Sequence, residues 1–164
     1  MDTIWREIIW QQFGAAIDML ENALVACPDG LWNDRSRGQQ FWYLVYHTLF
    51  FLDLYPSGAV EGFAPPPPCT LEELDPAALP TERAYTKEEL RSYLEHGRRK
   101  CRAAIETMTD EQMRRRCGFA WLDICEVELL LYNMRHVQHH AAQLNLILRQ
   151  AINSAPPWIA RAKS

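Results

Sequence analysis

Apolar residues recur at spacings of three and four from the start of the chain. Ile9, Phe13, Ala16, Leu20 and Leu24 mark one face across residues 3 to 26, the period of an amphipathic helix. CPDG at 27 to 30 ends that helix, since Pro and Gly break the pattern. The next apolar block, FWYLVYHTLFFLDLY, lies within a second predicted helix at about residues 39 to 55. It is hydrophobic on nearly all sides, as a central helix with several neighbours must be, and Pro56, Ser57 and Gly58 stop it. Residues 56 to 85 then hold PPPP at 65 to 68 together with Pro76 and Pro80. Such a segment predicts a long extended connection over the surface rather than a helix.

Helical spacing returns at TKEE, where Thr86 and Glu89 form a capping box. Leu90, Tyr93, Leu94, Gly97, Cys101, Ala104, Ile105 and Met108 follow in register, predicting a third long helix over 87 to 108. TDEQ at 109 to 112 repeats the capping chemistry and predicts a short helix ending before Gly118. Residues 121 to 151 predict the longest helix, terminated by APPW at 155 to 158. Four long helices, no alternating strand segment and no internal repeat predict an all-α fold. The expected architecture is a four-helix bundle with a long proline-rich crossover between helices 2 and 3.

The 164 residues, 48% hydrophobic and 23% charged, suit one compact domain spanning 1 to 164. No apolar run reaches the roughly 18 residues needed to cross a bilayer, and MDTIWREIIW has neither the form of a signal peptide nor that of an anchor. Five cysteines without C-x-x-C spacing, Cys27, Cys69, Cys101, Cys117 and Cys125, fit a reducing cytoplasm better than a disulfide framework. The net charge of −4 lacks the basic balance of a nucleic-acid binder. The runs RRK at 98 to 100 and RRR at 114 to 116 are expected on solvated helix faces.

Histidine changes the picture. Three of the five histidines fall within RHVQHH on the last helix. At about 100° per residue, His136 and His140 lie about 40° apart and one turn along the axis, the geometry that lets two imidazoles reach one metal ion. Leu122, Leu129 and Ile147 share their face, which is therefore expected to point inward. His139 sits about 60° to the other side and borders the polar flank. On the second helix, His47 shares a stripe with Gln40, Tyr43, Leu44, Phe51 and Leu54, so a third imidazole points into the bundle. Three neutral imidazoles leave a coordination position open, as in a catalytic site. The plain alternative stays open: an inward histidine is also satisfied by Tyr, Gln or a backbone carbonyl. Gln143, Asn133 and Tyr43 are candidates to orient ligands or a bound water, or else polar residues of helix packing.

Other chemistries fare worse. Cys125 precedes His136 by 11 residues, roughly 16 Å along a helix at about 1.5 Å per residue, which excludes a Cys/His pair. His96, beside Glu95 and RRK, is expected to be a solvated surface histidine. Asp53 points away from His47, and neither a Gly-rich phosphate loop nor G-x-S-x-G occurs.

YLVYHTLFF on helix two, RHVQHHAAQL on helix four and the APPW tail resemble the DinB/YfiT-like superfamily of small four-helix metal proteins. The likeness extends through CPDGLWNDRSRGQQFWYLVYH and YTKEELRSYLEHGRRKCRAAIETMTDEQM, and so over essentially the whole chain. It implies one divalent metal held by His47, His136 and His140, with Gln143 at the family's H-x-x-x-H-x-x-Q position. Zinc or nickel is the expected ion, with iron or manganese also suited to such a site. Known family activities include thiol-dependent S-transferases and a mycothiol-dependent maleylpyruvate isomerase. The resemblance also implies a homodimer, in keeping with six Trp and six Phe in a small chain. The extra His139 and the PPPP segment depart from the commonest pattern. The expected function is a metal-dependent hydrolase or thiol S-transferase that activates water or a low-molecular-weight thiol against a small electrophile. The alternative is a non-catalytic helical protein that binds a metal or apolar ligand along Trp42, Tyr43, Tyr46, Phe50 and Phe51. Neither nucleic acid nor membrane is an expected partner.

Overall fold

A computed structural model describes residues 2–36, 38–75 and 83–163. Helices α1 (Thr3–Ala26), α2 (Asp29–Trp32), α3 (Phe41–Leu54), α4 (Lys87–Thr107), α5 (Asp110–Arg114) and α6 (Glu126–Ile152) follow in chain order. The only extended pairing among the described residues is an isolated antiparallel bridge between Arg116 and Cys125, so the fold is all-α. Helix α1 packs against α4 and α6, and α3 packs against the same two. Each long helix thereby buries its apolar side against two others, which an isolated amphipathic helix cannot do. No helix among the described residues is long and apolar enough to cross a membrane.

Helix α1 starts at Asp2, whose side chain accepts from the Ile4 N–H at 3.4 Å, and buries Phe13, Ile17, Leu20 and Leu24 along one stripe. It ends at Cys27, as the break at CPDG predicts, but a single helical turn, α2, follows at once. Four residues carry no periodicity to read. They seat Trp32, whose indole N–H donates to the Tyr85 carbonyl at 2.8 Å.

Helix α3 is buried on every side except the stripe of Tyr43, His47 and Phe51. That stripe is i, i+4, i+8, one narrow edge of the helix. The segment after α3 turns at Gly58, whose φ of 76° suits a residue without Cβ. It contains no α-helix in its described part, and its regular elements there are two 3-10 turns, Tyr55–Ser57 directly after α3 and Glu72–Leu74. Phe63 is buried from it, and the Tyr46 hydroxyl donates to the Thr70 carbonyl at 3.3 Å. Pro76 and Pro80 lie outside the described residues.

The capping boxes at Thr86/Glu89 and Thr109/Gln112 start α4 and α5. The last long helix differs from expectation: it starts at Glu126, not at residue 121. Residues 115 to 125 fold back, with the Glu126 N–H donating to the Arg115 carbonyl at 2.9 Å and Phe119 buried beside Tyr55. Leu122 therefore lies outside the helix whose inward face it was expected to mark. The true start is a capping box at Cys125 and Glu128, hidden in the sequence because Cys is not among the common N-cap residues.

Two further expectations are corrected. His96 is not simply solvated: its Nε2 lies 3.2 Å from Asp53 Oδ1. RRK is not a free surface run either, since Arg98 pairs with Asp18, Glu21 and Glu95, and Lys100 pairs with Asp53. Asp18 and Asp53 are buried acids supplied by neighbouring helices, and buried carboxylates hold such partners because desolvation is otherwise too costly. Past α6, the tail returns along α1, where the Ala162 N–H donates to the Gln11 carbonyl at 2.9 Å and the Lys163 N–H to Asp18 at 2.7 Å.

Candidate metal centre

The contact between α3 and α6 brings the least buried edge of α3 against the middle of α6. His47 faces His136 with Nε2 atoms 3.3 Å apart, and His140 Nε2 lies 3.1 Å from His136 Nε2. One ligand atom from each of the three falls within 4.8 Å of the others. Phe51 backs the cluster, its ring 5.0 Å from that of His47 and 5.4 Å from that of His136.

The outward nitrogens decide what the inward ones present. His47 Nδ1 lies 2.5 Å from Glu73 Oε1. A carboxylate only accepts, so His47 carries its proton on Nδ1 and turns an Nε2 lone pair inward. His140 Nδ1 likewise donates to Gln143 Oε1 at 2.7 Å, leaving a second inward lone pair. His136 Nδ1 is buried without a partner. Whichever nitrogen of His136 bears its proton, one N–H satisfies at most one of the two lone pairs that face it. Burial, followed by the neighbouring His140, His47 and His139, pushes the His136 imidazole down to about 3. His140 is lowered as well, chiefly by burial. Added protons are therefore a poor remedy at His136 and His140.

A divalent transition metal fits this donor set. Tetrahedral nitrogen ligands at about 2.0–2.1 Å stand roughly 3.3–3.4 Å apart, close to the 3.3 and 3.1 Å that separate His136 from His47 and from His140. Three neutral imidazoles suit zinc, nickel or iron far better than calcium or magnesium.

Glu73 is the residue that sequence reasoning missed. It sits on the 3-10 turn of the proline-rich segment and also accepts from the Tyr43 hydroxyl, 3.3 and 3.1 Å from its two oxygens. Burial and then Glu73 push Tyr43 up to about 12, so Tyr43 keeps its proton and donates. Asn133 is turned elsewhere: its Nδ2 donates to the Leu52 carbonyl at 3.3 Å, and its Oδ1 has no partner. His139 is exposed, its ring 5.1 Å from that of His140, and is not part of the cluster. A groove of about 600 Å³ between α1, α6 and the tail is lined by Gln12, Tyr132, Arg135, His136, His139 and Trp158.

The family model described as DinB superfamily matches residues 12–144. The chain belongs to the DinB superfamily. The matched DinB region contains His47, Glu73, His136, His140 and Gln143, and leaves out the first turns of α1, the last turns of α6 and the tail. No curated protein and no solved structure matches the chain.

Proposed function

We propose that this DinB superfamily protein is a metal-dependent enzyme, a hydrolase or thiol S-transferase acting on a small electrophilic molecule. His47, His136 and His140 hold one divalent transition metal, zinc or nickel before iron or manganese. The observation that carries this reading is the convergence of three Nε2 atoms while Glu73 and Gln143 engage the outer nitrogens of two rings. Such a metal supplies Lewis acidity that makes water or a thiol nucleophilic near neutral pH. The chain's own residues orient the ligands and shape the approach. Phe51 and Tyr55 keep one side of the cluster apolar, and the groove beside His136 takes the substrate.

The thiol, where thiol chemistry applies, comes from solution. Burial pushes Cys27 up to about 12 and Cys69 up to about 11, and raises Cys101 also. A thiol held protonated is a poor nucleophile. The apolar-ligand form of the non-catalytic alternative needs an open aromatic wall, and Trp42, Tyr46 and Phe50 are instead buried in the core; the metal-binding form shares the histidine site and differs only in lacking activity.

The reading includes a four-helix bundle crossed by the proline-rich segment, a cytoplasmic setting for five free thiols, and a homodimer. Trp5, Trp121 and Trp158 are 60%, 52% and 68% exposed, which favours a covered face. The deciding experiment is elemental analysis of untagged protein, then assay of thiol and electrophile pairs and of hydrolysis with the metal removed and restored. About one equivalent of metal and an activity that returns with it are expected. A metal-free protein that takes up no transition metal overturns the reading. Light scattering at micromolar concentration is expected to give twice the 19.1 kDa chain mass, and a monomer removes the dimer from it.

A further inference from the structure

We infer that Glu73 is a positioning residue of the histidine cluster, fixing His47 in the tautomer whose Nε2 lone pair faces His136 and His140. The inference rests on the metal-centre reading above for its consequence, though not for its geometry.

Four observations carry it. The Glu73 side chain is only 8% exposed, and its oxygen lies 2.5 Å from His47 Nδ1. Its other partner is the Tyr43 hydroxyl, a donor, so both contacts leave the carboxylate accepting. No lysine or arginine pairs with Glu73 among the described residues, so the negative charge is directed at one imidazole. Tyr43 and His47 lie one turn apart on the edge of α3 left partly exposed, and the 3-10 turn carrying Glu73 lies against that edge.

The chemistry follows from where the imidazole proton resides. A neutral imidazole without a partner favours the proton on Nε2. In His47 that proton would point at His136 Nε2, 3.3 Å away, and block the inward lone pair. A carboxylate at Nδ1 reverses the preference and raises the donor strength of Nε2. The proline-rich segment thereby contributes to the centre without supplying a ligand. By reciprocity, a metal drawn to His47 Nε2 strengthens the hold of His47 on Glu73 and so on the segment.

A purely structural pin would hold the segment without setting the tautomer, and the test separates the two. The full chain, labelled with nitrogen-15 in histidine and stripped of metal, is examined by long-range proton–nitrogen correlation above the imidazole titration range. Zinc affinity is measured in parallel. Wild type is expected to carry the His47 proton on Nδ1, and Glu73→Ala to move it toward Nε2. The zinc Kd is expected to rise about 10- to 100-fold in Glu73→Ala. Glu73→Gln keeps the shape and one acceptor, so a smaller rise is expected, and it serves where Glu73→Ala does not fold. Glu72→Ala, on the same turn, is expected to change neither readout. A His47 proton on Nε2 in metal-free wild type overturns the inference, as does an unchanged zinc Kd in Glu73→Gln. If wild type binds no transition metal, the functional reading fails, and the tautomer measurement still decides the role of Glu73.

Discussion

Two neighbouring histidines on α6 have opposite surroundings, and that contrast makes the cluster testable. His140 turns Nε2 toward His136 and gives its outer nitrogen to Gln143, whereas His139 is exposed. His140→Ala is expected to abolish stoichiometric metal after dialysis against a weak chelator, and His139→Ala to retain a full equivalent. Metal content of the two dialysed variants checks this, and the reverse result would mean the wrong edge of α6 faces inward. The ring trio was legible because two of its members are four residues apart on one helix and the third lies on an apolar helix that must pack nearby. Glu73 was not legible. It belongs to LEELD, an acidic stretch with no regular period, and it meets His47 only through the course of an irregular segment. No spacing rule connects a 3-10 turn to a helix 26 residues earlier.

At the scale of elements, the two edges of α3 carry different polar groups with different work. One edge holds His47; on another side Asp53, fully buried, accepts from the Tyr93 hydroxyl at 3.2 Å and from Lys100 at 2.6 Å, with His96 Nε2 also at 3.2 Å. Every one of these partners lies on α4, so Asp53 ties α4 to α3 independently of the histidine cluster. Asp53→Ala leaves the buried Tyr93 hydroxyl without its acceptor. Lys100 and His96 are 30% and 38% exposed and regain water, so the expected loss is about 1–3 kcal/mol rather than that of a fully buried pair. Urea unfolding of the metal-free protein measures it, with a smaller loss expected for Asp53→Asn, whose carbonyl still accepts from Tyr93. An unchanged midpoint in Asp53→Ala would remove the network from the account of stability. The helices themselves were legible wherever apolar spacing and ordinary caps agreed, as at Thr86 and Thr109. The start of α6 was misplaced because FAWLDI continues the apolar pattern while turning back to bury Phe119. The RRK run was misread because its partners, Asp18 and Asp53, come from other helices.

For the molecule as a whole, a three-histidine cluster partly buried between packed helices makes the stability of the metal-free protein depend on pH. The unfolded chain binds protons at its histidines near the ordinary value of 6.5, whereas folded His136 does so only near 3 and His140 below its ordinary value. Between 6.5 and about 3 the unfolded state therefore binds more protons than the folded state. Stability must then fall as pH falls through that window, and these groups contribute no slope above it, where both states are neutral. The carboxylates of Glu89 and Glu128 are lowered from 4.5 by hydrogen bonds at their helix caps, so their contribution is present above 4.5 and is lost only below it. The two effects have the same sign, and only the histidines act between 6.5 and 4.5, whereas both act below 4.5. The expected result is a urea midpoint that is flat near neutrality and declines once pH passes below 6.5, before the carboxylates titrate. His136→Asn removes the most strongly shifted imidazole and is expected to flatten the decline above 4.5 and to lessen it below, where the carboxylates still contribute. An equal decline in both proteins would show that burial of His136 is not its source. Saturating zinc should deepen the decline in wild type, because protons must then also displace an ion bound by the folded state alone.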